Sequence, residues 1–326
     1  MLRDQAQAIS FDRPRRSRSY WAISLRRLLR KKVGITCLAI IIVLYGWGSL
    51  TILTELTSFP KVTPYDYREQ NLTEAKQLPS WSHLFGTDRL GRDIMTRIVY
   101  GLRTTVIITV ITLVTGSLVL GVTLGLLAGY FGRIIDTVIM RVGEVTSAFP
   151  EIFLVLIFIS TLKPPLTDWV RENLGSNVVR LGIADYLILS LALAIFGWFG
   201  MARLVRGQVL QAREHQYVEA ARAIGGTTPR ILLRHVLPNV MGPVIVMVSA
   251  GLAGIAGSEV FLSFLGIGVQ PPTPSLGLMI FQNASISVLR TNPHLLLFPV
   301  GTLSLLLFIF SLLGDAVNDA FNPRAR

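Results

Sequence analysis

Two carboxylates lie close to glycines in residues 86–93, which read GTDRLGRD. Carboxylate oxygens around a glycine turn are typical of calcium loops. The spacing of Asp88 and Asp93 differs from the D-x-[DN]-x-[DN]-G pattern, and Arg89 and Arg92 bring positive charge into the same stretch. We therefore predict no metal site here.

Histidine and cysteine form no catalytic pattern either. The four histidines are scattered, and none has another histidine three or four residues away; they are His83, His215, His235 and His294. Cys37 is the single cysteine, so an intrachain disulfide or a thiolate metal cluster is excluded. The motifs G-x-x-x-x-G-K-[ST], H-E-x-x-H, G-x-S-x-G and TVGYG are absent. We predict that the chain is not an enzyme and holds no cofactor.

Glu259 is an ionisable residue inside a long apolar stretch. In a bilayer such a residue costs several kcal/mol unless it faces water or a partner. Two interpretations stay open, namely a structural hydrogen bond to the neighbouring turn and a role in a translocation path. That turn is rich in the residues that end helices, and we expect it at the outer mouth of a pore. Its members are Gly266, Gly268, Pro271, Pro272 and Pro274.

The composition indicates which elements position these residues. The 326 residues are 51% hydrophobic and 15% charged, with a mean hydropathy of +0.56. A helix needs roughly 20 apolar residues to cross about 30 Å of hydrocarbon. We predict an all-α integral membrane protein with six transmembrane helices, the third kinked at Pro150. The predicted spans are 33–56, 104–131, 144–162, 183–205, 238–267 and 295–313.

The net charge is +12, and the basic residues are distributed according to the predicted membrane topology. Ten Lys/Arg precede the first span, two follow the second, six lie from Arg203 to Arg234 and two end the chain, against 11 in the alternate loops. The positive-inside rule predicts cytoplasmic tails at 1–32 and 314–326, an outer loop at 57–103 and a five-helix core at 104–313. The first apolar segment is predicted to be a retained anchor. Because no folded basic patch with aromatics is evident, nucleic-acid binding is not expected.

Two polar segments have helical patterns. Asp88 is predicted to cap a helix beginning near Leu90, whose apolar stripe is Ile94, Ile98 and Leu102. This element is interpreted as either a salt-bridged outer gate or simple lid packing.

The loop 206–235 is predicted to continue the fourth span to Gln216. It then forms a short helix at 219–224, turns at Gly225-Gly226 and opens the next helix with Pro229. The alanines at 220, 221 and 223 predict a slim surface for a groove, with Arg222 and Arg230 at its rim. A helix-turn-helix linker and a docking surface are both open interpretations.

The end of this loop resembles the E-A-A-x3-G-x9-I-x-L-P signature of permeases in binding-protein-dependent ATP-driven importers. The matching residues are Glu219, Ala220, Ala221, Gly225, Leu237 and Pro238, and His235 stands at the isoleucine position. In that family the loop seats on the ATPase subunit. The resemblance implies that these residues, with Gly226, form the coupling loop.

Other segments resemble the dipeptide, oligopeptide and nickel branch of that family. They are 83–93, 262–275 and 313–324, together with Asp136, Met140, Arg141, Phe149 and Pro150. The resemblance implies the second, C-type pore subunit and a type I ABC importer permease fold. It assigns the outer gate motif to Gly86, Thr87, Asp88, Gly91, Arg92 and Asp93.

The same resemblance implies the partners. These are a second homologous permease, two ATP-binding subunits that hold ATP and Mg, an extracytoplasmic binding protein and the lipid of a bacterial or archaeal plasma membrane. Peptides are the expected cargo, with a nickel chelate or another small polar solute as the alternative. A secondary transporter would need inverted repeats, and none is evident. An ATP-driven channel or regulator on this scaffold is the remaining alternative.

Overall fold

The computed structural model describes residues 20–56 and 62–321, and the regular elements of these ranges are helices. The predicted cytoplasmic tails therefore lie partly outside the described residues. The helices are α1 Tyr20–Leu28, α2 Lys32–Leu56, α3 Ile94–Thr112, α4 Val122–Phe131, α5 Arg133–Ser147, α6 Glu151–Leu174, α7 Ser176–Arg180, α8 Ile183–Gly197, α9 Phe199–Ala212, α10 Gln216–Ala223, α11 Thr228–Ile231, α12 Leu237–Phe264, α13 Leu276–Asn283, α14 Ile286–Thr291 and α15 His294–Phe321. Leu72–Glu74 is a 3₁₀ turn, and Leu113–Gly121 and Leu232–Val236 are π-helical.

Within the described ranges, five helical stretches are long and apolar enough to cross a membrane. They are Lys32–Ile52, Ile94–Phe131, Glu151–Leu174, Thr228–Phe264 and His294–Phe321. The pair α8 and α9 passes the same test together, with a bend of 44° between its halves. Counted as one broken span, this pair completes the six that the sequence predicts.

The second span begins earlier than predicted, at Ile94 rather than Thr104. Its N-cap is Asp93, whose carboxylate accepts a hydrogen bond from the backbone N–H of Thr96 at 2.7 Å. The prediction that Asp88 caps a separate helix near Leu90 was wrong. The expected apolar stripe is real, because Ile94, Ile98 and Leu102 are buried, but it belongs to the first turns of the span itself.

The third span also differs from the predicted 144–162. Helix α5 ends at Ser147 and α6 begins at Glu151, so the chain breaks at Pro150 instead of kinking. A proline disfavours helical geometry at the residue before it, which explains the break. Helix α6 then continues through Pro164 and Pro165 to Leu174. Lys163, within this helix, forms an ion pair with Asp185 at 2.9 Å.

Glycines let α4 and the preceding π-helical segment pack closely against α9. A Cβ atom on Gly125 would lie 2.6 Å from the carbonyl oxygen of Ala202, and one on Gly129 would lie 2.7 Å from the Cβ of Val209. A Cβ atom on Gly121 would lie 2.6 Å from the Cβ of Met201. This spacing of four residues is the small-residue pattern by which membrane helices approach each other without a hydrophobic driving force.

The two ends of the described chain lie on the same side of the bundle. Lys31, between α1 and α2, donates a hydrogen bond to the carboxylate of Asp319 near the end of α15 at 2.8 Å. On the opposite side, residues 62–93 pack over the start of α15, where the Phe85 and Phe298 rings stack with centroids 4.2 Å apart. The contact between Lys31 and Asp319 requires an even number of membrane crossings between these two residues. Six spans meet this requirement.

Candidate functional site

In the loop between the fourth and fifth spans, the helices begin and end at other residues than predicted. Helix α9 ends at Ala212 rather than near Gln216, and the short helix is α10, Gln216–Ala223, rather than 219–224. A tight turn at 213–215 separates them, with the N–H of His215 donating to the carbonyl of Ala212 at 3.2 Å. Pro229 lies in the first turn of α11, as the sequence predicts.

Gly225 and Gly226 end α10 with a Schellman motif. The N–H of Gly226 donates to the carbonyl of Ala221 at 2.9 Å, and the N–H of Gly225 donates to the carbonyl of Arg222 at 2.9 Å. Gly225 has φ +80°, a left-handed conformation that glycine adopts without strain. At Gly226 a side chain is excluded for another reason, because a Cβ atom there would lie 2.6 Å from the carbonyl oxygen of Ala221.

The alanines of α10 divide between two faces, which corrects the predicted slim surface. Val218 and Ala221 are buried in a cluster with Val209 and Ile231, so Ala221 faces the core of the protein. Ala220 and Ala223 are exposed, as is Glu219. The large side chain left exposed at the end of the helix is Ile224, with 87% of its surface accessible.

Arg222, which is predicted at the rim of a docking groove, is exposed. Its guanidinium lies over the ring of Tyr130, 5.2 Å from the ring centroid. Tyr130 is near the end of α4, so this cation–π contact joins α10 to the second span. At the entrance to α12, Leu237 is half-buried and Pro238 is exposed.

Arg206 and Asp136 form a bidentate ion pair, a partnership that the sequence did not predict. The Nε and Nη2 atoms of Arg206 donate to the two carboxylate oxygens of Asp136 at 2.5 and 2.7 Å. The pair joins α9, which leads towards α10, to α5. Both residues stood in segments already singled out, but nothing in their separation of 70 positions along the chain marks them as partners.

The GTDRLGRD segment is a folded loop organised by Asp88. Its carboxylate accepts hydrogen bonds from the backbone N–H groups of Leu90 at 2.8 Å and Arg92 at 3.0 Å. The same carboxylate pairs with the guanidinium of Arg92 at 2.7 Å and lies 3.6 Å from that of Arg97. Gly91, at φ +73°, passes so close to the chain that a Cβ atom would overlap the carbonyl oxygen of Asn71.

The remaining members of the motif hold this loop on the bundle. The hydroxyl of Thr87 donates to the carbonyl of Glu74 and accepts from the N–H of Gln77 at 2.9 Å. Gly86, at φ +76°, lies against the ring of His294 at the start of α15. Asp93 caps α3 and contacts the Nδ1 of His83 at 3.0 Å. The predicted salt bridge is present between Asp88 and Arg92, and it lies within a packed loop.

The turn after α12 is tied to three other helices. Gly266 has φ +78°, and the Pro271–Pro272 peptide bond is cis. The carbonyl of Gly268 accepts from the ammonium of Lys163 at 3.0 Å, and the N–H of Gln270 donates to the carboxylate of Asp185 at 2.9 Å. A further bond runs from the hydroxyl of Thr104 on α3 to the carbonyl of Pro274 at 2.8 Å. Lys163 and Asp185 were missed in the sequence because neither belongs to a motif.

Glu259 is fully buried and fully hydrogen-bonded. Thr105 of α3 donates to one carboxylate oxygen at 2.8 Å, and Ser263 donates to the other at 3.0 Å. Its side chain has no accessible surface. The partners are hydroxyls of two helices rather than groups of the following turn, so the carboxylate joins the second span to the fifth.

The amino-acid sequence of this chain matches two protein families. A family described as the binding-protein-dependent transport system inner membrane component matches residues 121–326. The chain belongs to this permease family. A second family, the N-terminal TM domain of oligopeptide transport permease C, matches residues 19–79. The loop 206–235 and the turn after α12 lie in the first match, and α2 lies in the second.

Relatives of this permease cover nearly its whole length. The dipeptide transport system permease protein DppC of Bacillus subtilis is 35% identical over 98% of this chain and 90% of its own. The oligopeptide permease OppC of the same organism is 33% identical over 96% and 92%. The glutathione permease GsiD of Pectobacterium atrosepticum is 32% identical over 95% and 93%. A solved structure of the MetNI methionine ABC transporter aligns with a TM-score of 0.48 and 20% identity, covering 70% of this chain and 98% of that one.

Proposed function

We propose that this permease forms half of the translocation pore of an ATP-driven importer of short peptides. The observation that carries the proposal is the 35% identity to a dipeptide permease along 98% of the chain. The relatives named for oligopeptides and glutathione support the same class of cargo. In this proposal the chain has no chemistry of its own, and its function is to change shape.

The partners follow from the family. A second homologous permease completes the pore, two ATP-binding subunits bind and hydrolyse ATP with Mg, and an extracytoplasmic binding protein delivers the peptide. Differential contact with the two states of the ATPase drives the spans between inward-open and outward-open arrangements.

The proposed ATPase contact is the exposed face of α10 and the turn after it, here called the coupling surface: Tyr217, Glu219, Ala220, Ala223, Ile224 and Gly225. Ile224, 87% accessible, and Tyr217, 38% accessible, give this surface an apolar centre. Large exposed apolar side chains outside the membrane favour a protein-docking surface over a plain linker. Glu219 contributes charge at the edge.

A displacement of the coupling surface would be transmitted to the membrane spans through its packing contacts. Its buried side, Val218 and Ala221, packs in the cluster that holds α9 and α11. Arg222 adds the contact with Tyr130 on α4. Because packed cores behave as rigid units, a shift of α10 moves the cytoplasmic ends of several spans together.

On the opposite side, the loop of Gly86, Thr87, Asp88, Gly91, Arg92 and Asp93 is proposed as an outer gate element. Its hydrogen bonds fix it on the first turn of α3, and Gly86 touches α15 at His294. The turn of Gly266, Gly268, Pro271 and Pro272 is proposed to form the outer mouth, with Glu259 as a structural acid beneath it. With both termini cytoplasmic, these elements face the binding protein.

Uptake by the assembled importer tests the proposal. The complex is reconstituted in vesicles, and uptake of labelled di- to pentapeptides is measured with ATP and the binding protein. Uptake that needs all components is expected. Peptide-independent ATPase activity without any need for a binding protein would favour a channel or regulator instead.

Nickel is the second candidate cargo. No three His, Cys, Asp or Glu side chains converge in ligand geometry within residues 20–56 and 62–321, so nickel would cross as a small polar chelate. A deletion strain with normal growth on peptides but reduced urease or hydrogenase activity would replace the peptide assignment with nickel.

A further inference from the structure

A cavity of about 240 Å³ lies among the second, third, fourth and fifth spans. Its lining combines small residues, hydroxyls and one carboxylate. The lining residues that carry the inference are Gly116, Ser117, Glu151, Gly197, Gly254 and Ser258.

The cavity exists because helices lose regular geometry on two of its sides. Gly116 and Ser117 belong to the π-helical segment Leu113–Gly121. Gly197 ends α8 at the 44° bend that separates it from α9. On α12, a Cβ atom on Gly254 would meet nothing within 4 Å, so that side of the cavity is open. These positions are near the middle of their spans, and irregular helices at this depth are tolerated where they line a cavity.

Glu151 brings an unpaired carboxylate into this space. It is the first residue of α6, and one of its oxygens lies 3.5 Å from where a Cβ atom of Gly197 would be. Two other acids of the bundle are occupied, since Asp136 on α5 pairs with Arg206 and Glu259 on α12 binds two hydroxyls. Within the described ranges, no hydrogen bond or ion pair engages Glu151. The Glu151 side chain is exposed, so its carboxylate is accessible to water or to a cation that enters the cavity.

We propose that this cavity is a cargo-binding position in which Glu151 receives the ammonium group of the transported peptide. The proposal rests on the proposed function and adds a subsite to it. Ser117 and Ser258 supply hydroxyls for the polar backbone of the cargo. The glycines remove side chains that would otherwise hold that backbone away from the wall. The ammonium is either the α-amino terminus or a lysine side chain, and the choice of peptides separates the two.

The first experiment measures the electrostatics of the cavity without any peptide. In the assembled complex, Cys37→Ser removes the native thiol and Ser258→Cys introduces one into the lining. Reaction rates with a cationic and an anionic methanethiosulfonate are then compared. Glu151→Gln should lower the cationic-to-anionic rate ratio about fivefold, as expected for removal of a nearby charge. Glu172→Gln, an exposed site on the same helix, should leave the ratio unchanged.

The second experiment measures uptake of Ala-Ala, Lys-Ala and N-acetyl-Lys-Ala by the same complexes. Recognition of the α-ammonium predicts that Glu151→Gln reduces uptake of Ala-Ala and Lys-Ala but spares the acetylated peptide. Recognition of the side chain predicts a loss for both lysine peptides and none for Ala-Ala. A roughly tenfold change in kcat/KM is expected, the scale of one charge-assisted contact.

The outcomes separate the two proposals. An unreactive thiol in the Ser258→Cys variant, a rate ratio insensitive to Glu151→Gln, or an equal loss for all three peptides would overturn the cavity assignment. Failure of the unsubstituted complex to take up any peptide would overturn the proposed function, while the thiol ratio would still report whether Glu151 sets the charge of this cavity.

Discussion

Arg206 of α9 and Asp136 of α5 are joined by two hydrogen bonds, at 2.5 and 2.7 Å. The Asp136 side chain is 17% accessible and that of Arg206 is 33% accessible, so solvent screens the pair only partly. The contact connects the helix that leads towards α10 with the helix that precedes Glu151. We therefore propose that this pair carries a movement of the coupling surface towards the cargo cavity.

Breaking this pair should impair coupling more than assembly. Asp136→Arg alone places two guanidinium groups together, and Arg206→Asp alone places two carboxylates together. We expect each to lower peptide-stimulated ATPase activity and uptake several-fold, and the double exchange to restore part of both, because the attraction returns with reversed orientation. The Arg141–Glu144 pair, 76% and 49% accessible, is the control on the same helix. An exchange that restores nothing would contradict a pairwise role.

Gly225→Asp should leave the complex in the membrane yet abolish transport. A side chain at φ +80° is strained by roughly 1–2 kcal/mol, and the new carboxylate enters the proposed ATPase contact. Gly225→Asn separates the two effects, because asparagine tolerates this conformation better and brings no charge. Gly207→Asp is the control, since a Cβ atom there meets nothing within 4 Å. Normal uptake by Gly225→Asp would rule out the coupling surface.

Ala221→Glu should fail for a different reason. Its side chain faces the cluster with Val218 rather than the ATPase. We expect a loss of folded complex, measured as a lower Tm and a lower yield after detergent extraction. An assembled complex of normal Tm that no longer hydrolyses ATP would show that Ala221 contacts the partner instead.

Lys163→Met should loosen the turn after α12, the proposed outer mouth. Lys163 bridges the carboxylate of Asp185 and the carbonyl of Gly268, so its loss leaves a buried carboxylate held by a single backbone N–H. Breaking such a pair costs about 3–5 kcal/mol when it is fully buried, and somewhat less here because Lys163 is 20% accessible. Thermal unfolding of the complex measures the loss. Arg171→Met, in the exposed pair with Asp168, should change the Tm little.

Glu259→Gln and Glu259→Ala test whether this acid is structural. Glutamine keeps partners for Thr105 and Ser263, so we expect near-normal Tm and uptake. Alanine leaves the Ser263 hydroxyl unpaired, at a cost of about 1–3 kcal/mol, and opens a void, while the Thr105 hydroxyl keeps the carbonyl of Gly101 at 3.3 Å. If glutamine abolished uptake at an unchanged Tm, the charge itself would be needed and the acid would belong to the path.

The predicted orientation can be read from cysteine labelling. With Cys37→Ser as background, Thr73→Cys should react with a membrane-impermeant maleimide in intact cells, and Thr227→Cys only after permeabilisation. Both positions are exposed, so burial does not obscure the result. The reverse pattern would invert the topology and remove the coupling assignment.

The sequence by itself determined the membrane class, the six crossings and the family. These depend on composition, on the length of apolar runs and on residues adjacent in the chain, such as Glu219 to Gly225 and the GTDRLGRD motif. The Gly-Gly turn was predictable for the same reason, because the left-handed conformation is a local property of glycine.

Tertiary structure decided which side chains meet. Asp136 with Arg206, Lys163 with Asp185 and Glu259 with Thr105 are separated by 70, 22 and 154 positions, and no local pattern relates them. It also decided that Ala221 faces inward, that Asp93 rather than Asp88 caps α3, and that Glu151 opens into a cavity. Each outcome depends on how the helices pack, because the direction of a side chain is fixed by the rotation of its helix against its neighbours and not by the residue type.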